Sequence, residues 1–151
     1  MNHQEILKDP QVKMDMLMTH VSKLLAKNKR QILDKFELTC SQFEILTAIY
    51  YFTYNKTEII QIDLSEKTGI DPMTTSTILR NLQKKGLITR NRSTVNTRTV
   101  IVELTTDGMA ILEKASIQIK SSSDLIYKDI NRNDLTSHLL KLSDKLNKLN
   151  Y

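Results

Sequence analysis

Apolar positions along the chain recur mostly at three- and four-residue intervals, the spacing of helices that bury one face. Met14, Leu17, Val21, Leu24 and Leu25 keep that interval and predict a helix over about residues 11–35, after a short lead-in that ends in Asp9-Pro10. A break at Phe36–Leu38 is followed by Thr39 and, three residues on, Gln42, which is a capping-box pattern. The helix it opens carries Phe43, Ile45, Leu46, Ile49, Tyr50 and Phe52, apolar over much of its circumference, and is expected to be the most buried of the set. Tyr54–Thr57 reads as a loop, and Ile60 and Leu64 carry a short helix that stops at Gly69.

The next helix has both ends marked. Asp71 suits the N-cap, Pro72 the first helical position, and Gly86 the left-handed residue after the last turn. On a wheel Thr75, Ile78, Leu79 and Leu82 fall on one side, with Met73, Ser76, Thr77, Arg80 and Lys84 on the other. Two β-branched segments follow, LITR and RTVIVEL, separated by the polar NRSTVNT, and predict a hairpin. Gly69-Ile70-Asp71 is then the turn of a helix-turn-helix, and the hairpin is a wing beside its second helix. Downstream, Thr105 or Thr106 can cap a helix bearing Leu112, Ala115, Ile119 and Ile126. Leu135, Leu139, Leu142, Leu146 and Leu149 then continue at intervals of four, three, four and three. That seam, about two heptads long, is too short for an isolated coiled coil and is expected to be covered by the first helix of its own or a second protomer.

Charge sharpens this picture. Between Asp71 and Arg98 there are six cations (Arg80, Lys84, Lys85, Arg90, Arg92, Arg98) against one acid, Asp71, so the segment carries +5, the formal net charge of the whole chain. A positive field confined to one helix and its hairpin is what a phosphate backbone attracts. Short hydroxyls near the helix start allow close approach to base edges, and the longer cations reach phosphates. The alternative is an ordinary solvated basic face.

Composition excludes several classes. A chain of 151 residues with 40% hydrophobic and 26% charged residues fits one globular domain. Three glycines and two prolines leave no Gly-rich phosphate loop and favour helices. No apolar run approaches about eighteen residues and the first twenty lack a signal core, so a cytoplasmic protein without membrane partner is expected. One cysteine, Cys40, permits no internal disulfide, and it shows no metal-ligand spacing with His3, His20 and His138. No catalytic constellation is present: neither an enzyme nor a cofactor is expected. Asp63 and Glu66 fit the solvated side of the first helix-turn-helix helix.

The run IIQIDLSEKTGIDPMTTSTILRNLQKKGLITR (residues 59–90), then Asn96–Arg98, then VELTTDG (residues 102–108), resembles the bacterial MarR family of winged helix-turn-helix regulators. The family pattern Asp-x-Arg before Leu-Thr-x-x-Gly stands here with Asn96 in place of the acid that helps orient the wing arginine. The resemblance covers nearly the whole chain. It implies a mainly α fold with a small β-hairpin wing: one domain over 1–151, with a DNA-binding lobe at 39–104 and dimerisation helices at 11–35 and 107–150. It also implies a homodimer on double-stranded DNA, acting as a transcriptional regulator, and a small-molecule effector.

Thr74, Thr75, Ser76, Thr77, Arg80, Asn81, Lys84, Arg90, Arg92 and Arg98 are the candidate DNA contacts, with Arg98 aimed at a minor groove. Thr74, Thr75 and Ser65 fit either phosphate contact or packing. His20, Tyr50 and Tyr51 lie near where MarR-like regulators keep an effector pocket, although histidine at an interface and tyrosines in a core fit the same spacing. Cys40, in the first turn of a helix, raises a redox-sensing alternative, although relatives that sense oxidants through cysteine carry it in the first helix. A winged-helix module for an acidic protein partner is the other alternative.

Overall fold

Asp9 accepts the N–H of Gln11 at 2.7 Å, and with Pro10 in the first turn it starts helix α1 (Pro10–Asp34). This computed structural model describes residues 8–56 and 58–149. Most of the predicted lead-in, together with His3, Thr57 and Asn150, lies outside the described residues. The predicted break at Phe36–Leu38 is a tight reversal in which Glu37 takes a positive φ and Leu38 N–H donates to Leu33 at 3.1 Å. Helix α2 (Cys40–Thr53) opens on the expected capping box, with Gln42 N–H on Thr39 Oγ1 and Thr39 N–H on Gln42 Oε1, both at 3.1 Å.

Helix α3 (Gln61–Thr68), helix α4 (Pro72–Lys84), strand β1 (Ile88–Arg92) and strand β2 (Val100–Leu104) complete the winged unit. The strands pair antiparallel with Ile88 opposite Leu104 and Arg92 opposite Val100. The turn lies two residues further along than its polar composition implied: Asn91 and Arg92 continue β1, and β2 begins at Val100 rather than Arg98. The far edge of β2 is also used: Val102 N–H donates to Ile59 at 2.8 Å and Ile60 bridges Ile101. Ile45, Leu46, Ile49, Leu64, Leu79, Leu82, Ile88 and Val102 fill the core, and α2, as expected, contributes most of it among the helices.

Helix α5 (Thr106–Ile126) begins where Thr105 links two elements: its hydroxyl donates to Gly86 at 2.7 Å and accepts the N–H of Gly108 at 3.0 Å. Gly108 is buried, and a Cβ there would lie 1.9 Å from the carbonyl oxygen of Leu87. The glycine of the Leu-Thr-x-x-Gly pattern is thus set by close backbone approach between α5 and the strand after α4.

The chain divides into two compact units, residues 1–116 and 117–151, and α5 runs from the first into the second. In the second, Asp124 pairs with Lys120 at 2.7 Å and Arg132 at 3.2 Å across the turn into α6 (Arg132–Leu149). The leucine seam on α6 is uncovered: Leu139, Leu142, Leu146 and Leu149 are 41–62% exposed. Met14, Leu17, Val21 and Leu24 on α1 are likewise exposed, and of the predicted α5 stripe only Leu112 and Ala115 are buried.

Asp63 departs from expectation. Its side chain is only 12% exposed, pairs with Lys56 and accepts the N–H of Ile60 at 3.0 Å. Ile60 offers no side-chain cap, so Asp63 supplies a one-sided capping contact. Glu66 does lie on the solvated side.

Two outcomes follow from these contacts. Gly108→Ala is expected to cost about 2–3 kcal/mol, because backbone must shift to admit the methyl; urea unfolding of both proteins measures it. For Asp63, burial raises the carboxyl pKa, but the Lys56 ammonium and the Ile60 N–H outweigh it and hold the group below its ordinary value. Its stabilisation is therefore present above the ordinary carboxylate pKa and fades as pH falls through the lowered one. Asp63→Asn should melt below wild type at pH 7, and the gap should narrow steadily on acidification below pH 4.

Candidate nucleic-acid interface

Helix α4 is held by one face. Thr75, Leu79 and Leu82 are fully buried and Ile78 nearly so, matching the wheel. The Thr75 hydroxyl donates to the carbonyl of Ile70 at 3.2 Å, and the buried Ser65 hydroxyl donates to the same oxygen at 2.6 Å. Thr75 is therefore withdrawn from the candidate contacts: it has no exposed surface and its donor is used. Ser65 likewise packs. Gly69, at φ 70°, permits the left-handed turn between α3 and α4. Gln61 Nε2 donates to Pro72 at 3.0 Å, and Asp71 accepts the Thr74 N–H at 2.9 Å. The hydroxyl and N–H of Thr74 hold the Asp71 carboxyl below the usual carboxylate range.

The opposite face is open. Met73, Thr74, Thr77, Arg80, Asn81 and Lys84 are exposed and Ser76 is half-buried. Arg80 Nη2 donates to Thr77 Oγ1 at 3.1 Å, and that hydroxyl donates to the Met73 carbonyl at 3.2 Å. The guanidinium is thereby steadied one turn above Thr77. Lys85 is turned elsewhere, its ammonium on the Glu37 carbonyl and 3.3 Å from Gln42 Oε1, so it contributes charge but no free donor array toward this face.

On the wing, Ile88, Arg90 and Arg92 alternate onto one face that runs from core to solvent. Arg90 stands opposite Val102, is half-buried, and its Nε is buried without a hydrogen-bond partner. It belongs to the root of the wing; Arg92 and Arg98 are the exposed cations. Between them Ser93, only 2% exposed, fixes the base of the wing, a role that its place in a polar turn does not reveal. Its hydroxyl donates to Glu58 Oε1 at 2.7 Å and accepts the N–H groups of Val95 and Asn96 at 3.1 and 3.2 Å. A serine in a polar turn is a visible signal for local bonding, but its partner 35 residues away is not. Asn96 Oδ1 accepts the N–H of Arg98 at 3.2 Å.

His20, Tyr50 and Tyr51 all lie on the surface. His20 is exposed; Tyr50 is 40% exposed and edge-on to Tyr54, while Tyr51 is 48% exposed beneath the Lys67 ammonium at 4.0 Å. Neither tyrosine is a core residue. A cleft of about 340 Å³ lies behind the wing, lined in part by Thr53, Lys56, Ile59, Val102, Glu103 and Met109. Cys40 is half-buried at the first position of α2. Among the described residues no cluster of His, Cys, Asp or Glu fits a metal, and no helix is long and apolar enough to cross a membrane.

Residues 27–115, more than half of the chain, match the family described as transcriptional regulator SarA/Rot. The organic hydroperoxide resistance transcriptional regulator of Bacillus subtilis (strain 168) is 30% identical over 95 residues, 62% of this chain and 61% of that one. The chain spans about half to three-fifths of the length of the curated relatives it matches. Among solved structures, the S. aureus MepR–DNA complex superposes with a TM-score of 0.78 at 21% identity, covering 93% of this chain and 99% of that one. A MarR-family transcriptional regulator from Rhodococcus sp. RHA1 gives 0.71 at 15% identity, over 89% and 92% of the two chains. At such identities the likeness is one of fold, and it is the winged-helix fold that the sequence motifs implied.

Ser93→Ala is expected to cost about 1–3 kcal/mol, since it leaves the Glu58 carboxylate and two wing N–H groups without their partner. Hydrogen exchange should quicken at the amides of Val95 and Asn96 while α4 amides keep their protection. Unchanged exchange at those two amides would remove the anchoring role.

Proposed function

The chain belongs to the SarA/Rot family of transcriptional regulators, and on that premise we propose that it acts as a homodimeric repressor on a pseudo-palindromic DNA operator. One observation carries this reading: α4 buries one face completely in the winged unit and leaves Thr77, Arg80, Asn81 and Lys84 exposed on the other. Helix α4 then lies in a major groove, with Ser76, Thr77, Arg80 and Asn81 toward base edges and Thr74 and Lys84 toward phosphates. Arg98 enters the adjacent minor groove, where negative potential is concentrated, and Arg92 follows the backbone. The exposed apolar stripes of α1 and α6 support a two-fold partner, since monomers seldom leave such stripes in water. A dimer of this kind reads half-sites about one helical turn, roughly 10 bp, apart.

Release by a small molecule is part of the same proposal. The ligand must bind one spacing of the two α4 helices more tightly than the other, because equal affinity shifts nothing. A second reading is favoured by the name of the hydroperoxide-resistance relative together with the half-buried Cys40: oxidation of that thiol replaces the ligand as trigger. Cys40→Ser separates the two, since a peroxide response that survives in the mutant excludes the thiol.

Selection from random duplexes at fixed salt tests the main reading. Wild type should select a palindrome, with log K against log salt falling at a slope near −7 if each protomer neutralises about four phosphates. Arg80→Ala should cost about 1–3 kcal/mol per half-site and relax the selected sequence. Lys84→Ala should weaken all duplexes alike and flatten the slope by about 2 per dimer. Arg98→Ala should weaken the selected palindrome through loss of its minor-groove contact. Weak, uniform binding insensitive to these changes would transfer the basic face to an acidic protein partner.

A further inference from the structure

Met73 is the second residue of α4 and is 84% exposed. It does not belong to the apolar stripes of α1 or α6; it heads the row Met73, Thr77, Arg80, Lys84, spaced four, three and four along one helix face. Two hydrogen bonds tie that row together, Arg80 to the Thr77 hydroxyl and the Thr77 hydroxyl to the Met73 carbonyl. The neighbours of Met73 on this face are hydroxyls and cations, so no apolar partner of its own unit covers it.

We propose that Met73 is a specificity-determining residue that reads the C5-methyl group of a thymine in the major groove, an inference that rests on the DNA-binding role proposed above. The N-terminal turn of a recognition helix is the part that meets base edges. Duplex DNA offers one projecting apolar group there, the thymine methyl, and apolar side chains discriminate by contact with it. Thioether carbons suit the role because the unbranched chain adapts to a small irregular apolar surface. Charge complementarity orients the encounter: Lys84 lies on the same row, and a phosphate backbone drawn to it brings the bases in front of Arg80 and Met73. The row thus divides its tasks, with Met73 selecting thymine, Thr77 and Arg80 meeting other base edges, and Lys84 supplying attraction to phosphate.

The test uses the full chain and the palindrome it selects. Each thymine of the half-site is replaced singly by deoxyuridine, which keeps base pairing and removes only the methyl. At one thymine position wild type should lose about fourfold in affinity for one half-site and about fifteenfold when both are replaced, the effect of burying one methyl-sized apolar group. Met73→Ala should bind thymine and deoxyuridine equally at that position and keep wild-type penalties elsewhere, and Met73→Leu should retain the discrimination. Since Met73 is exposed, the melting temperature of both variants should equal that of wild type. A Met73→Ala profile identical to wild type at every thymine, or no methyl-sensitive position at all, overturns the assignment while leaving the regulator reading intact. Failure of wild type to select any duplex overturns both.

Discussion

The carbonyl oxygen of Ile70 accepts two hydroxyls inside the winged unit, from Ser65 on α3 and from Thr75 on α4, at 2.6 and 3.2 Å. Everything presented on the outer face of α4 depends on that shared acceptor. It fixes the turn opened by Gly69, and with the Gln61–Pro72 hydrogen bond it sets the angle at which α4 leaves α3. Because Thr75, Leu79 and Leu82 are sealed in the core, rotation of α4 about its axis would expose apolar surface and strand a buried hydroxyl. The arginine and hydroxyl row on the other side is therefore held in one orientation by the buried face, and its own Arg80–Thr77 and Thr77–Met73 hydrogen bonds steady it further.

The wing is fixed by a different device. Pairing with β1 and with Ile59 holds both edges of β2, while the buried Ser93 clamps the base of the tip to Glu58. Arg92 and Arg98 stand exposed on either side of this clamp in the chain. The set of cations free to donate to a partner is accordingly smaller than a residue count implies. Lys85 is committed to the start of α2 and Arg90 is half-buried at the wing root, which leaves Arg80, Lys84, Arg92 and Arg98 as the freely presented cations. Lys56 and Asp63, near the entry to α3, neutralise each other.

Two kinds of exposed apolar surface bear on recognition. The stripes on α1 and α6 are long, periodic and leucine- or methionine-rich, the composition that helix faces use to meet other helices. Met73 is a single apolar side chain in a polar, cationic row. Its place in the first turn of α4, rather than its exposure alone, is what sets it apart from other singly exposed apolar residues such as Val95.

Helix ends, helix faces and the hairpin were legible in the sequence because each rests on local chemistry. Asp71-Pro72 and Gly86 bound α4, Thr39 with Gln42 caps α2, and the inner positions of α4 follow directly from the 3.6-residue period. The motif glycine Gly108 was visible as a pattern, but its cause, a Leu87 oxygen that leaves no room for a Cβ, exists only after two segments meet. The same holds for Thr75, whose hydroxyl looks available on a sequence and is consumed by Ile70, and for Asp63, which looks solvated and is paired. Ser93 was read as one more polar turn residue because its partner, Glu58, is remote in the chain. The sequence by itself determined which segments are helix or strand and where the charge concentrates, since backbone propensity, capping and periodicity act within a few residues. Only the tertiary structure decided which polar groups stay free to meet a partner, because hydrogen-bond partners distant in sequence consume donors that composition cannot distinguish from exposed ones.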